Sequence, residues 1–168
     1  MVIELSIPIS SEDVKKLKPG DFITVSGTIL AGRDAALPKV VSLAERGMLD
    51  SLGFDLNGSA IFHTAVSPAG VGPTSSNKLE IEASMPPLSQ AGVRLHLGKG
   101  AIGGSTIQSL AASGSAYAIV PPVTALLQER TIEKRVIAFP ELGMEALHAL
   151  TVKECPAVIA AVNGEAVS

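Results

Sequence analysis

Apolar positions recur along this chain with two periods. A spacing of two residues marks strands, and a spacing of three to four marks helices. Ile3, Leu5 and Ile7 alternate and read as a first strand. Ser11, followed by Glu12 and Asp13, starts a short helix, because acidic groups are favourable in a first turn. Lys18-Pro-Gly-Asp21 is a turn signal, and Ile23, Val25 and Ile29 carry a second strand up to Arg33. Leu37, Val40, Val41, Ala44 and Met48 fall at helical spacing and predict an amphipathic helix over 35–46, with Gly47 as its stop. Asp34 is a good N-cap for that helix. Pro38 would then be the fourth helical residue and lose the first intrahelical hydrogen bond, so the expected start shifts one or two residues on.

Ala60 to Ala65 reads as a strand, followed by a loop rich in Ser, Pro and Gly. Pro86-Pro87 opens a short helix over 86–92. Val93, Leu95 and Leu97 alternate into a strand that ends at Gly98-Lys-Gly100. Ser105 caps a helix that turns Ile107, Leu110 and Ala111 inward and stops at Gly114. Strands are expected near 116–120, 135–139 and 157–162, with helices near 122–130 and 141–148. This alternation predicts a mixed α/β fold, helices packed on a sheet, in one domain spanning 1–168. No repeat or low-complexity linker interrupts it.

Composition adds three constraints. The chain has 168 residues, net charge −3, and only 3% aromatic residues, with a mean hydropathy of +0.39. No basic face stands out, which argues against nucleic acid. The high apolar content comes mostly from Ala, Val, Ile and Leu. It fits either a large covered partner surface or an Ala-rich compact domain. The longest apolar stretch, Tyr117 to Leu127, contains Pro121, Pro122 and Thr124 and is too short to span a bilayer. One cysteine, Cys155, excludes an internal disulfide and reads as a buried, inert thiol in a cytoplasmic protein.

Three loops carry candidate chemistry. Gly27-Thr-Ile-Leu-Ala-Gly-Arg-Asp-Ala-Ala36 sets Arg33 and Asp34 where a strand gives way to a helix. Arginine presents a planar donor fork matched to a carboxylate. Taken alone, such a pair is more often a surface salt bridge; the glycine-framed strand end favours binding. Gly72-Pro-Thr-Ser-Ser76 offers the hydroxyls of Thr74, Ser75 and Ser76 and backbone N–H groups to an anion, although read alone it is a Ser-rich turn. Gly98-Lys-Gly100 presents Lys99, a weak signal by itself. His63, His96 and His148 share no metal-ligand spacing. His96 lies out of phase with Val93, Leu95 and Leu97, which predicts a solvent-facing or interface position, while His63 precedes the Ser-rich loop.

Taken in order, these loops resemble the β subunit of two-subunit class I fumarate hydratases, the iron–sulfur fumarases. Phe54-Asp-Leu-Asn-Gly58 and Ile61-Phe62 extend the likeness across most of the chain. L-Tartrate dehydratase β subunits look similar. The resemblance implies a swivelling β/β/α domain, a mixed sheet with barrel-like curvature and flanking helices. It implies a hydro-lyase of the tricarboxylic acid cycle type, interconverting fumarate and (S)-malate. The cofactor would be a [4Fe–4S] cluster held by a separate α subunit, with no metal on this chain. The site would be shared in a hetero-oligomer, with self-association open to the isolated chain. By position, Arg33 would bind a substrate carboxylate and Thr74 would lie at the reacting carbons as an acid/base group. Ser75, Lys78 and Lys99 would complete the substrate contacts, and Asp34 would cap and orient.

Several positions depart from the family pattern. Lys78 stands where the family usually has an arginine and loses the bidentate fork. Leu37 replaces a frequent histidine, Pro121-Pro-Val-Thr124 replaces a Gly-Gly-Ala-Ala-like turn, and the loop from His63 to Gly72 is short. These changes leave two further readings open: tartrate as substrate, or a non-catalytic assembly subunit.

Overall fold

The structure, a computed structural model, describes residues 2–67, 70–74, 78–121 and 129–167. For Ala65, Ser67, residues 70–74 and residues 78–80 it describes the backbone alone. Strand β1 (Val2–Ser6) lies parallel to β2 (Phe22–Gly32). The upper end of β2 pairs in parallel with β3 (Ala60–Ser67), β3 with β5 (Leu95–Gly98), and β5 with β6 (Ala116–Ile119). The long strand β8 (Leu147–Val162) then runs antiparallel to both β6 and β2 and closes a five-stranded barrel. Among the described residues four strands sit outside the ring: β1 on β2, β4 (Gly70–Thr74) on β3, and β7 (Thr131–Ala138) and β9 (Glu165–Ala166) on β8.

The expected mixed sheet with barrel-like curvature and flanking helices is therefore what the chain forms. A barrel this narrow has room only for modest side chains. Its interior is lined by Val25, Ile29, Ala31, Ala60, Phe62, Leu95, Leu97, Ala116, Ala118 and Ala157. Alanine at five of these positions helps explain a chain so apolar and so poor in aromatics. A second core forms outside the barrel, where Leu30 and Ile61 meet Leu37, Val40, Leu88 and Leu147. Gly27 (φ 125°) lies at a bulge in β2, and a Cβ there would stand 2.9 Å from that of Ile7.

Helices α1 (Ser11–Lys15), α2 (Leu37–Glu45), α3 (Lys78–Gln90) and α4 (Gly104–Ser113) flank the barrel. Helix α1 starts where expected, but Ser10 caps it, in a reciprocal box with Asp13. Helix α2 starts late, as Pro38 required: Ala36 is its N-cap and Asp34 is not. Gly47 and Gly114 end their helices with positive φ. The cap of α4 is Gly103 rather than Ser105.

Other expectations fail for identifiable reasons. Helix α3 begins at Lys78, eight residues before the predicted start, and contains Pro86 and Pro87. Ile81, Met85 and Leu88, all buried, recur at helical spacing across the proline pair and hold it in the helix. The Gly72 segment continues as strand β4 through Thr74. Strand β7 starts four residues early, at Thr131. The helix expected over 141–148 is a 3₁₀ segment, Pro140–Glu145, broken at Gly143 (φ 60°, ψ −120°). Strand β8 starts at Leu147, ten residues before its predicted start, because Leu147–Leu150 is buried at every position and shows no alternation, and the exposed Lys153 and Glu154 interrupt the apolar run that follows. The helix expected near 122–130 lies mostly outside the described residues.

Candidate functional site at the carboxyl edge of the barrel

Strands β2, β3, β5 and β6 are parallel, so their carboxyl ends share one edge. In open α/β sheets that edge is where ligands bind. Register sets the heights. Gly32 pairs with His63, which puts Arg33 level with Thr64. Phe62 pairs with Leu97, which puts Lys99 at that same level two residues on. Thr64 in turn faces Thr74 on β4. Three segments far apart in sequence thus bring Arg33, Thr74 and Lys99 to one height on one edge. Lys78 opens helix α3, while Ser75 lies outside the described residues.

Arg33 is half-buried and paired. Its Nε donates to Glu145 Oε2 at 3.1 Å and to Oε1 at 3.3 Å, and its Nη2 donates to Oε2. The pair raises the pKa of an arginine already always charged, the Glu145 hydrogen bond being the largest cause. Glu145 arrives because β8 runs antiparallel to β2: Ala31 faces His148, so Arg33 comes level with Ala146. Sequence reasoning did not single out Glu145. It lies 112 residues from Arg33, and only the antiparallel return of β8 joins them. Asp34 follows in a turn whose Arg33 carbonyl accepts from the N–H groups of Ala36 and Leu37 at 3.2 and 3.0 Å. Asp34 also contributes, least of the causes, to the raised pKa of Arg33.

Lys99 is exposed on a turn held from below. Buried Tyr117 donates its hydroxyl to Gly100 O at 2.9 Å. Burial, and secondarily the charge of Glu82, raise its pKa and keep it a donor. A Cβ at Gly98 would lie 3.2 Å from that hydroxyl, so the glycine keeps the approach open. Glu82 on α3 accepts from Gly103 N and Thr106 Oγ1, both at 2.7 Å. That ties α3 to the start of α4.

The histidines correct one expectation. His96 does not face solvent: it is fully buried, because β5 is covered on both faces. Its Nδ1 lies 3.1 Å from His63 Nε2 and its Nε2 lies 2.8 Å from Ser89 Oγ. His63 is also fully buried, and among the described residues its Nδ1 has no hydrogen-bond partner. Burial lowers the His63 pKa to about 4. Burial, and then the neighbouring His63, push His96 well down, so both rings are neutral near pH 7. His148 donates from Nδ1 to Ala146 O at 3.0 Å. Cys155 is buried as expected, and burial pushes its thiol up to about 11.

Architecture and edge together define a class: mixed α/β domains in which a small closed barrel presents loop residues at the carboxyl ends of its parallel strands. Within that class the chain belongs to the Fumarase C-terminus family, whose model matches residues 1–167. It is 30% identical over 171 residues to the L(+)-tartrate dehydratase subunit beta of Escherichia coli strain K12, covering 95% of this chain and 82% of that one. It is 29% identical over 168 residues to the "Putative L(+)-tartrate dehydratase subunit beta" of Methanocaldococcus jannaschii, covering 92% and 84%. The "Putative fumarate hydratase class I" of Geobacillus stearothermophilus is 30% identical over 172 residues, which cover 94% of this chain and 32% of that longer protein. No helix among the described residues is long and apolar enough to cross a membrane.

Proposed function

We propose that this chain is the β subunit of an iron–sulfur hydro-lyase, working in the cytoplasm at a site shared with an α subunit. Its leading reaction is the interconversion of fumarate and (S)-malate. The observation that carries the reading is the common height of Arg33, Thr74 and Lys99 on the carboxyl edge. Arg33 would hold one substrate carboxylate through its donor fork, with Lys99 and Lys78 holding the other end. Opposed cations fix a dicarboxylate in one pose, and such positioning can supply several kcal/mol of rate enhancement. Thr74 would take the proton from the carbon next to the hydroxyl-bearing one when water leaves, and return it to that carbon when water adds. Ser75 and the backbone around it would complete the anion cradle, and Asp34 would orient the Arg33 turn.

The residues of this chain do not fit the [4Fe–4S] cluster that the family resemblance implies. A cluster needs several thiolates, and the one cysteine is a buried thiol with a raised pKa. Among the described residues no group of three or more His, Cys, Asp or Glu could hold a metal ion. We place the cluster on the α partner, a reading that the single buried cysteine of this chain supports.

L(+)-Tartrate is the second reading. Two of the relatives named above are called β subunits of tartrate dehydratase and are matched over more than four-fifths of their length. Lysine at position 78 also fits a shifted substrate preference. The test is an anaerobic assay of this chain co-expressed with its cluster-bearing subunit, each chain alone serving as control. Fumarate hydration only by the pair supports the first reading. Higher kcat/KM for tartrate moves the assignment to the second. Full activity of the isolated, iron-free chain overturns the shared site.

A further inference from the structure

We infer that Glu145 is a positioning residue that grips Arg33 from one side and leaves the end of its guanidinium open for a substrate carboxylate. This rests on the dicarboxylate reading above. A guanidinium carries five N–H donors in a fixed plane. Glu145 occupies the Nε–H and the Nη2–H beside it. Among the described residues nothing accepts from Nη1. The parallel pair of N–H groups at the end of the fork, one from Nη1 and one from Nη2, is the geometry that takes a carboxylate in two hydrogen bonds. The two side chains are 29% and 28% exposed, so the pair is shielded enough to be fixed and open enough to be reached.

The backbone that delivers Glu145 is built for that placement. Phe139 (φ 55°) and Gly143 (φ 60°) reverse the chain on either side of Leu142, and Lys39 Nζ sits 5.7 Å above the Phe139 ring. Leu142 N donates to Phe139 O and Ala146 N to Gly143 O, both at 3.0 Å. Strand β8 then holds Leu147 in register with Ala138 of β7. Glu145 thus projects from a braced turn.

The same contact admits an opposite role. Glu145 carries a carboxylate, so it could act as an internal competitor that substrate must displace. The two roles give opposite signs. A positioning group lost to alanine lets the guanidinium rotate, which weakens substrate and transition state alike and raises KM with kcat nearly unchanged. A competitor lost to alanine lowers KM. Glutamine keeps an oxygen acceptor and removes the charge, so it separates geometry from repulsion.

The experiment is steady-state kinetics of Glu145→Ala and Glu145→Gln in the reconstituted, cluster-loaded pair, with thermal melts to confirm folding. Succinate, an unreactive dicarboxylate, is titrated in parallel as a binding probe. The expected result is a KM raised about 10-fold in the alanine variant, with kcat within about threefold, and a glutamine variant that recovers most of the loss. Succinate affinity should fall in step. An unchanged or lowered KM in a folded alanine variant overturns the inference and leaves the hydro-lyase reading standing. If the wild-type pair turns over no diacid, the hydro-lyase reading fails, and Glu145 is then judged on succinate alone. Succinate affinity unaffected by Glu145→Ala, or no succinate binding by the wild type, overturns the inference.

Discussion

The two ends of the barrel solve the same problem in different ways. At the amino end, polar side chains are spent on nearby backbone. Ser59 Oγ donates to Leu56 O at 2.7 Å, Ser115 Oγ to Val93 O at 2.6 Å, and Arg94 Nη1 to Ser113 O at 2.8 Å. Asn163 reaches across to the carbonyls that end α1. Each contact satisfies a group that burial would otherwise leave costly. At the carboxyl end, charges stand at the edge, and one is held by another. Arg33 meets Glu145, Lys99 stands exposed on its turn, and His63 keeps one unpartnered nitrogen below them. One end is closed for stability, and the other carries cations whose remaining donors no described residue uses.

The comparison breaks most directly at Thr74. Thr74→Val removes the hydroxyl and keeps the shape, so kcat of the reconstituted pair should fall by about 10²-fold or more, the range for a lost acid/base group. KM should stay within about threefold. Arg33→Ala comes next. Losing a bidentate carboxylate contact should cut kcat/KM about 100-fold. Arg94→Ala at the amino end should leave kcat/KM unchanged and lower stability by about 1 kcal/mol, read by urea unfolding. Equal kinetic losses from the two arginine variants would erase the distinction between the ends.

How much of this was legible beforehand depends on the element. Periodicity found β2, α2 and α4 because each presents one face to a core and one to solvent. It failed at β8 and at His96, where pairing and burial on both sides remove the alternation that reading relies on. It misplaced α3 because the proline pair was given more weight than Ile81, Met85 and Leu88 on either side of it. Arg33 and Lys99 could be picked from the local pattern of glycine and charge at strand ends. Glu145 and the His63–His96–Ser89 chain could not. Their partners come together only when β8 closes the ring and α3 lies over β3 and β5.

Acid sharpens the contrast next. The unfolded chain takes up a proton at His63 near the ordinary value of 6.5, whereas the native chain resists until about 4. The unfolded state therefore binds more protons between those values, and stability falls as pH drops from about 6.5 to about 4. For His63 alone the loss is on the order of 3 kcal/mol, and His96, shifted the same way, adds to it. His63→Gln should flatten the dependence, measured as the unfolding free energy in urea at pH 7.5 and pH 5. A wild-type value that does not change between those two pH values would mean that the His63–His96 pair is hydrated or loosely packed.

The last expected effect is on stability alone, at Asn163 of the amino end. Its Nδ2 donates to Val14 O, Lys15 O and Leu17 O at 3.4, 3.3 and 3.2 Å, long bonds that share one amide. Its backbone sits at φ 52°, which costs most side chains about 1 kcal/mol or more and asparagine less. Asn163→Ala should therefore cost about 2 kcal/mol, from lost bonds and from strain. Asn163→Gly adopts that φ freely, so it should cost about 1 kcal/mol, from the bonds and from added chain entropy. Both variants should leave kcat and KM of the reconstituted pair at wild-type values, because α1 and the end of β8 lie at the opposite end of the barrel from Arg33. A kinetic change in the glycine variant, with stability held, would show that the two ends are coupled through β8, which runs between them and begins two residues after Glu145.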